Sequence, residues 1–233
     1  MDADSIAVEL SRLRDVHGRR ARVIRRSPVR DYWFYWPMKA IAEALGPLNA
    51  RSVLDIGCGS GTRLKAFRDM GAGPLAGIEL IAESCAVARQ NVPDAEIVHG
   101  SAHALPWADQ TFDIVSQFVV FTSILDPNLK HQLAREMVRV LKPSGIIVWH
   151  DFRVDNPRNR HVKGIPKAEV CALFPSCKVD LRSIMLAPPL ASLLIPRFPG
   201  FAAKLEKLPF LRTHYVGFMT PLEKANHNFR TLS

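Results

Sequence analysis

The glycines of VLDIGCGSG, residues 53–61, give the strongest chemical signal in the sequence. They stand between a predicted strand and a predicted helix, where glycine permits a tight turn and close approach of a ligand to the backbone. A dinucleotide-binding loop would have its third glycine at position 62, where this chain has Thr62. Asp55 precedes the first glycine by two residues, and its charge would repel a pyrophosphate. The loop therefore argues against NAD and favours a ligand with a cationic amino or sulfonium group.

His150 and Asp151 end another apolar segment, GIIVWHD, and form a candidate pair of general base and orienter. A neutral imidazole near its pKa is suited to taking a proton from a hydroxyl group. Neighbours on a strand point to opposite faces, so a strand that runs through both residues would separate them. The alternative is that His150 only ends a strand and moves no proton. His103 and His214 are further candidates for a base.

The elements that must position these residues alternate regularly between strand and helix patterns. We predict strands at 52–56, 75–79, 95–98, 112–118 and 145–151, and helices at 62–70, 82–91 and 128–141. Further along, KAEVCALF predicts a helix, and CKVDLRSIML and THYVGFMT predict two more strands. This alternation indicates an α/β domain with a mostly parallel sheet covered by helices on both faces. Ligands of such sheets bind at the carboxyl ends of the strands.

The ends of the chain differ from this core. Residues 3–26 read as a polar helix, five consecutive aromatic residues follow at 32–36, and a second helix is expected from about Pro37 to Leu45. We predict a helical lid segment at 1–46 and the ligand-binding domain at 47–233. The domain includes an apolar, proline-rich insert at about 186–211, expected as short helices packed over the active face.

Two interpretations of the aromatic run stay open. Tyr32 and Trp33 could close as a lid on cofactor and acceptor, or the run could anchor the N-terminal helix on the core.

Composition narrows the class of protein. Hydrophobic residues make up 48% of the 233 residues, which is ample for a core, and the four cysteines form no CxxC pair. We expect reduced thiols and no metal site. The start, MDADSIAVEL, does not read as a signal peptide, and prolines interrupt the most apolar stretch, 184–202, so we expect a cytoplasmic chain without a transmembrane segment.

The net charge of +9 leaves the partner open. The eight arginines among the first 30 residues could meet nucleic acid, a membrane surface or a phosphorylated substrate, or they could form a solvated helix face.

Taken in order, the segments resemble the class I S-adenosylmethionine (SAM)-dependent methyltransferases. The predicted strand LAGIEL ends in Glu79, where the family's acidic residue binds both ribose hydroxyls. HGSAHALPWADQTFDIV looks like the family pattern "GDA…LPF.D.SFD.V", with Ser101 in place of aspartate. REMVRVLKPSGIIVWHDF resembles "E..RVLKPGG", with Ser144 in place of a glycine. The resemblance implies a Rossmann-like fold with a seven-stranded sheet, SAM as the cofactor and S-adenosylhomocysteine as its product.

The resemblance also implies a set of site residues. The cofactor-binding set is Asp55, Gly57, Cys58, Gly59, Gly61, Glu79, Leu80, Ser101, Ala102, His103, Gln117 and Phe118. The expected contacts to the acceptor are Tyr32, Trp33, Thr122 and Arg153, and the expected catalytic residues are His150 and Asp151.

The sequence gives the least specific information about the acceptor, because one fold serves many substrates. A covered apolar pocket favours a small molecule, anionic or hydrophobic, and we expect O-methylation of a hydroxyl on a sugar, a glycan precursor or a natural product. The segments FTSILD, NPRN and LRTHY look like those of bacterial polysaccharide and secondary-metabolite methyltransferases.

Three alternatives to a cytoplasmic small-molecule enzyme are kept. One is an RNA methyltransferase, against which stands the lack of a Pro-Pro-Tyr or Pro-Cys signature after the fourth strand. The second is a non-catalytic SAM-binding protein. The third is a peripheral membrane form of the small-molecule enzyme, in which the basic helix and the apolar insert approach a lipid-linked or hydrophobic acceptor.

Overall fold

The computed structural model describes residues 3–18, 27–157 and 159–222. Within them the strands are β1 (Val53–Ile56), β2 (Leu75–Glu79), β3 (Glu96–His99), β4 (Phe112–Phe118), β5 (Leu141–Phe152), β6 (Cys177–Leu186) and β7 (Arg212–Pro221). The helices are α1 (Ala3–Gly18), α2 (Pro28–Leu45), α3 (Thr62–Asp69), α4 (Ala82–Asn91), α5 (Pro127–Val140), α6 (Lys167–Leu173), α7 (Pro188–Leu194) and α8 (Pro199–Leu205). Two 3₁₀ turns lie at Phe121–Ser123 and Pro209–Leu211.

The strands form one seven-stranded sheet in the order β3-β2-β1-β4-β5-β7-β6. All neighbours pair in parallel except β7, which runs antiparallel to both β5 and β6. The predicted α/β fold with a mostly parallel seven-stranded sheet is thus confirmed. The carboxyl ends of β1, β2 and β4 meet at one edge, which is where the glycine loop and Glu79 lie.

Successive residues of the central strands pack into two different cores. On β1, Leu54 and Ile56 belong to a cluster with α1, α5 and α6, whereas Val53 belongs to a cluster with α2, α3 and α4. Side chains alternate across a strand, so a strand covered on both faces is buried along its whole length. The four residues of β1 are accordingly all buried.

The second helix begins earlier than the sequence pattern predicted. Ser27 caps α2 by accepting a hydrogen bond from the Arg30 N–H, and Pro28 occupies a first-turn position, where its missing N–H costs nothing. The aromatic run at 32–36 is therefore helical, and Pro37 lies inside the helix rather than at its start. The end at Leu45 agrees with the prediction. Of the helix predicted at 3–26, α1 ends at Gly18, and residues 19–26 lie outside the described residues.

The insert between β6 and β7 folds into α7, α8 and the turn at Pro209–Leu211. Leu186, Ala191, Leu194 and Ala202 form a small core of their own, against which Tyr32 of α2 packs. Among the described residues, no helix is both long and apolar enough to cross a membrane.

Candidate functional site

A cavity of about 970 Å³ opens at the carboxyl ends of the parallel strands. Its floor is the glycine loop and the end of β2, and its walls come from α1, the first turns of α2, and the segments that follow β3 and β4. Eight residues of the predicted cofactor set line it, namely Gly57, Gly59, Glu79, Leu80, Ser101, Ala102, His103 and Phe118. Asp55, Cys58, Gly61 and Gln117 do not belong to the lining.

The glycine loop needs glycine for its backbone and for its neighbours. Gly57 and Gly59 have φ angles of 65° and 53°, a region that costs side-chain-bearing residues energy. A Cβ on Gly57 would lie 2.8 Å from Cγ2 of Val120, and one on Gly61 would lie 3.0 Å from Cγ2 of Val92. Gly61 does not line the cavity, so its role is to let the start of α3 approach α4.

Glu79 is the best-defined polar group in the cavity. Its Oε2 accepts a hydrogen bond from the N–H of Gly59 at 2.9 Å, and its Oε1 accepts one from the N–H of Ile81 at 2.9 Å. These bonds hold the carboxylate at the end of β2 and tie it to the glycine loop. A carboxylate has about four lone-pair positions, so it keeps acceptor capacity for two hydroxyl groups. The residue therefore fits a ribose.

The next wall is formed by the segment after β3. The Oγ of Ser101 and Nδ1 of His103 are 2.8 Å apart, which orients both side chains, and Ala102 lies between them in the cavity lining. Leu80 and Val120 supply apolar surface to the same cavity. A slot with apolar walls and a few polar atoms is suited to a planar heterocycle such as adenine.

Asp55 lies beneath the loop and does not face the cavity. It is 2% exposed, and its Oδ1 accepts a hydrogen bond from the Ser116 hydroxyl at 2.7 Å. Burial raises the pKa of Asp55 to about 7, although the Ser116 bond and the charge of Arg63 oppose this shift. The carboxyl group thus interacts with the protein's own cation rather than directly with a ligand.

That cation, Arg63, joins the first turn of α3 to α2. Its guanidinium lies between the rings of Phe34 and Phe118, at 4.4 and 4.6 Å from their centroids. It donates hydrogen bonds to the carbonyl oxygens of Phe34 at 2.8 Å and Trp33 at 3.1 Å. Burial lowers the pKa of Arg63 to about 10, and Asp55 raises it. Arg63 was not predicted from the sequence, because the motif that marks this turn is defined by its glycines and not by the helix residue that follows them.

The aromatic run supplies one cavity residue, and it is not one of those predicted. Phe34 lines the cavity, whereas Tyr32 and Trp33 do not. The Tyr32 hydroxyl accepts a hydrogen bond from the Leu186 N–H at 2.8 Å, and the Trp33 ring meets the His214 ring edge-on at 5.0 Å. In a helix, residues one apart point in different directions. Tyr32 and Trp33 therefore anchor α2 on the insert and the sheet, and the predicted lid contact with the ligand is not made by them.

The predicted dyad of His150 and Asp151 does not exist, because β5 continues through both residues. Asp151 shares the face of Trp149, where its Oδ1 accepts bonds from the Thr122 hydroxyl at 2.6 Å and the Phe152 N–H at 2.9 Å. His150 lies on the opposite face. Burial raises the pKa of Asp151 to about 6, while the hydrogen bonds from Thr122 and Phe152 lower it. Thr122 and Asp151 therefore hold the 3₁₀ turn after β4 against β5.

Beneath α2, His150 meets a second histidine that is distant in the sequence. The rings of His150 and His214 are stacked, with centroids 5.3 Å apart and planes 3° apart. Among the described residues, both ring nitrogens of His150, Nε2 of His214 and Nε1 of Trp33 are buried without a hydrogen-bond partner. Burial lowers the pKa of His214 to about 3 and that of His150 well below its usual value. We call Trp33, His150 and His214 the histidine cluster.

Two further predicted residues have structural surroundings. The guanidinium of Arg153 lies over the Tyr215 ring, 5.4 Å from its centroid, and near the carbonyls of Pro209 and Arg212. It supports the start of β7 and does not line the cavity. The Oε1 of Gln117 accepts a bond from the Val120 N–H at 3.1 Å, so this side chain shapes the turn after β4. The insert was expected over the active face, but no residue of 187–211 lines the cavity.

Several lining residues carried no sequence signal. They are Leu10, Leu13 and His17 of α1, Arg30 and Asp31 of α2, and Ile124, Leu129 and Leu133 after β4. A helical pattern does not indicate which distant edge of the sheet it will cover. No cluster of three or more His, Cys, Asp or Glu side chains within the described ranges could hold a metal ion.

Comparison with known sequences identifies the domain. Residues 54–149 match the family described as "Methyltransferase domain". The demethylmenaquinone methyltransferase of Renibacterium salmoninarum is 32% identical over 49% of this chain and 46% of its own length. The 2-phytyl-1,4-naphtoquinone methyltransferase of Thermosynechococcus vestitus is 36% identical over 50% of this chain and 52% of its own length. The chain thus spans about half the length of the curated relatives it matches.

Solved structures show the same fold. The methyltransferase solved with the Trm112 methyltransferase activator of Haloferax volcanii covers 85% of this chain with all of its own, at a TM-score of 0.62 and 23% identity. A SAM-dependent methyltransferase of Aquifex aeolicus covers 84% of this chain with 98% of its own, at a TM-score of 0.56 and 16% identity. Residues 54–149, which contain the glycine loop, Glu79 and much of the cavity wall, thus match a methyltransferase domain, and the fold around them is that of solved SAM-dependent methyltransferases.

Proposed function

We propose that this chain transfers a methyl group from SAM to a small hydrophobic acceptor that carries a hydroxyl group. The observation that carries the proposal is the Glu79 carboxylate, which faces the cavity while the backbone of Gly59 and Ile81 holds it. An acidic group fixed at the end of the second strand, beside a glycine loop, suits a nucleoside with two free ribose hydroxyls.

The described residues fit the cofactor along its length. Glu79 would hold the ribose, and Ser101, Ala102 and His103 would lie beside the adenine. The loop glycines would pass close to the methionine part, where a side chain would obstruct it. When bound there, SAM supplies a methyl group on a positively charged sulfur; the protein must align the acceptor with it and exclude water.

The cavity favours a hydrophobic acceptor over a sugar. Its α1 and α5 wall carries four leucine side chains, Leu10, Leu13, Leu129 and Leu133, with Ile124 and His17 beside them. Polar sugars would leave hydroxyl groups unpaired against such a wall. Curated relatives are named for demethylmenaquinone, for a phytyl naphthoquinone and for phthiotriol dimycocerosates, all of them hydrophobic compounds. We therefore favour a hydrophobic natural product among the acceptors that the sequence left open.

The histidine cluster is our proposed site for the acceptor's oxygen. Phe118 lines the cavity and also packs against His150, with ring centroids 5.9 Å apart, so a movement of Phe118 would join the two. A neutral imidazole without a partner can accept a hydrogen bond from a hydroxyl and orient it. Burial lowers the pKa of His150, so its imidazole is a weak base. Its proposed role is therefore to position the acceptor's hydroxyl rather than to remove the hydroxyl proton.

We further propose that α1 and α2 complete the cavity of the methyltransferase domain. Leu10 and Leu13 of α1 and Phe34 of α2 line it, although they lie outside the matched range of 54–149. Helices α1 and α2 would thus contribute to acceptor choice, while the glycine loop and Glu79 would hold the cofactor.

Calorimetric titration with SAM and S-adenosylhomocysteine tests the proposal. Glu79→Ala should weaken binding at least about tenfold, because a charge-assisted hydrogen-bonded pair contributes roughly 1.5–3 kcal/mol. Glu83→Ala is the matched control, since Glu83 is an exposed carboxylate in the same lining and makes no bond to the loop. Failure of a folded, ligand-free wild type to bind either compound would refute the cofactor assignment.

An acceptor screen tests the second half. Release of S-adenosylhomocysteine should occur with hydroxylated hydrophobic compounds, and His150→Phe should reduce turnover while leaving SAM affinity unchanged. Turnover on RNA alone, with binding that falls steeply as salt rises, would replace the small-molecule proposal with the nucleic-acid alternative. SAM binding without turnover on any acceptor would favour a non-catalytic protein.

A further inference from the structure

The outward face of the insert exposes large apolar side chains. Phe198, Phe201 and Phe210 are 59%, 54% and 77% exposed, and Leu193 and Leu208 are exposed with them. All five lie within α7, α8 and the turns that follow each helix. We call these five residues the insert face. Five large apolar side chains exposed within one short segment are uncommon on proteins that meet only water, and such a concentration commonly marks an interaction site.

Folding of the insert does not require these residues. The inward side of the same segment buries Leu186, Ala191, Leu194 and Ala202 in a core of their own, with Tyr32 packed against it. A short helical segment that already has a buried side normally presents polar residues on the other. The apolar area of the insert face therefore adds nothing to the free energy of unfolding while it is exposed to water. It becomes favourable only when another surface covers it.

The charges around the insert face have one sign. Arg197, Lys204 and Lys207 are all exposed within 187–211. The one acidic residue in this range, Glu206, is half-buried, and its Oε1 accepts a hydrogen bond from the Met185 N–H at 3.2 Å. Phenylalanine and leucine interspersed with exposed lysine and arginine match an anionic lipid surface, where rings enter the headgroup region and cations meet phosphates.

We propose that the insert face docks the protein on an anionic lipid bilayer. A second copy of the chain is a poorer partner, because a two-fold contact through this face would bring Arg197, Lys204 and Lys207 against the same residues of the other copy. The bilayer offers both an apolar interior and negative charge, so it satisfies the five apolar residues and the three basic ones together.

The position of the insert face connects docking to the cavity. Leu186 ends β6 at the base of the insert, and its N–H donates to the hydroxyl of Tyr32 in α2. On the same helix, Arg30 and Phe34 line the cavity. Docking through the insert would thus act on a helix that lines the cavity and could admit a hydrophobic acceptor from the bilayer. That connection rests on the proposed function, whereas docking itself does not.

Sedimentation with lipid vesicles tests the docking. The full chain should sediment at low salt with vesicles that contain phosphatidylglycerol, and much less with phosphatidylcholine alone. The triple variant Phe198→Ser, Phe201→Ser, Phe210→Ser should bind at least about tenfold more weakly. A second triple variant, Arg197→Gln, Lys204→Gln, Lys207→Gln, should lose the preference for phosphatidylglycerol.

The control removes exposed apolar residues elsewhere. Val8 and Val154 are 71% and 42% exposed and lie outside the insert, so Val8→Ser with Val154→Ser should sediment like the wild type. Circular dichroism and SAM titration of each variant separate docking from folding and from cofactor binding. The proposal is overturned by a wild type that does not bind anionic vesicles at low salt. It is also overturned if the phenylalanine variant sediments unchanged, or if it only converts a dimer into a monomer.

Discussion

Arg63 donates a hydrogen bond at 3.1 Å to the carbonyl oxygen of Trp33, which receives no helical hydrogen bond from Pro37 of α2. In a helix the N–H of residue 37 would bond to the carbonyl of residue 33, but proline has no N–H. Arg63 supplies this missing donor, and it also bonds to the carbonyl of Phe34. The arginine thereby keeps α2 continuous over the sheet and ties it to the first turn after the glycine loop.

Replacing Arg63 should loosen α2. We expect Arg63→Met to lower the free energy of unfolding by about 3 kcal/mol, because two carbonyls lose their donor and the buried Asp55 loses a nearby positive charge. Hydrogen exchange of the α2 amides should accelerate in the same variant. Arg68→Met is the control: Arg68 pairs with Asp94 near the surface, and its loss should change stability by less than about 1 kcal/mol.

A double-mutant cycle with Pro37 tests the reason for that effect. Pro37→Ala returns a helical donor to the Trp33 carbonyl, so Arg63→Met should cost at least about 1 kcal/mol less in the Pro37→Ala background, as measured by urea unfolding. Additive costs would show that the bond of Arg63 to the Trp33 carbonyl contributes little to the effect.

Asp151 should matter for stability and not for the chemistry. Asp151→Asn places an amide where the carboxylate accepts bonds from Thr122 and Phe152, and should lower the free energy of unfolding by about 1–3 kcal/mol. Thr122→Val removes one of these bonds from the other side, so the two costs should not add. SAM affinity, measured by calorimetry, should stay within about twofold of the wild type. A stable Asp151→Asn protein with normal cofactor binding and no methyl transfer would restore Asp151 as a catalytic residue.

His214 should make the protein sensitive to acid. Its pKa is about 3 in the folded state, below the ordinary 6.5, because burial disfavours the charged form. Between pH 6.5 and about pH 3, this histidine is therefore protonated in the unfolded chain and neutral in the folded chain. The free energy of unfolding consequently falls as the pH falls through this range. Asp55 and Asp151 contribute in the opposite direction, since their pKa values of about 7 and 6 are raised by burial.

The variant His214→Phe isolates the histidine from the aspartates. Its free energy of unfolding, minus that of the wild type, should grow by up to about 1.4 kcal/mol per pH unit as pH falls below 6.5. The exposed His131, changed to phenylalanine, should give a profile parallel to the wild type. Parallel profiles for wild type and His214→Phe would contradict the burial of a neutral His214.

Gly57 should not tolerate a methyl group. Gly57→Ala combines a φ of 65° with a Cβ 2.8 Å from Val120, so the loop must shift and SAM binding should weaken at least about tenfold. Gly57→Ala with Val120→Ala relieves the contact and should recover part of the affinity. Gly200→Ala is the control, because a Cβ there meets no atom within 4 Å. Equal affinities of Gly57→Ala and the wild type would mean that the ligand does not approach this loop.

Local patterns in the sequence were enough to predict the fold and the cofactor side of the site. Every predicted strand of the sheet is present within a few residues, because alternating strand and helix patterns are a property of short segments. The glycine loop was predicted from its position after a strand, and Glu79 from the family resemblance; each lies at the end of its own strand, and parallel strands bring those ends together. Their roles in binding SAM remain predictions for calorimetry.

The rest depended on contacts between distant segments, which no local pattern encodes. Pro37 was predicted to start a helix, yet it lies inside α2, because Arg63, twenty-six residues later, supplies the donor that proline lacks. His150 and Asp151 looked like a pair because they are adjacent in sequence, yet an uninterrupted β5 places them on opposite faces, and the neighbour of His150 is His214 on β7. The sequence by itself determined which strands form and what their ends carry. Only tertiary packing decided which side chains meet at those ends, because neighbours in space come from helices and strands that are far apart in the chain.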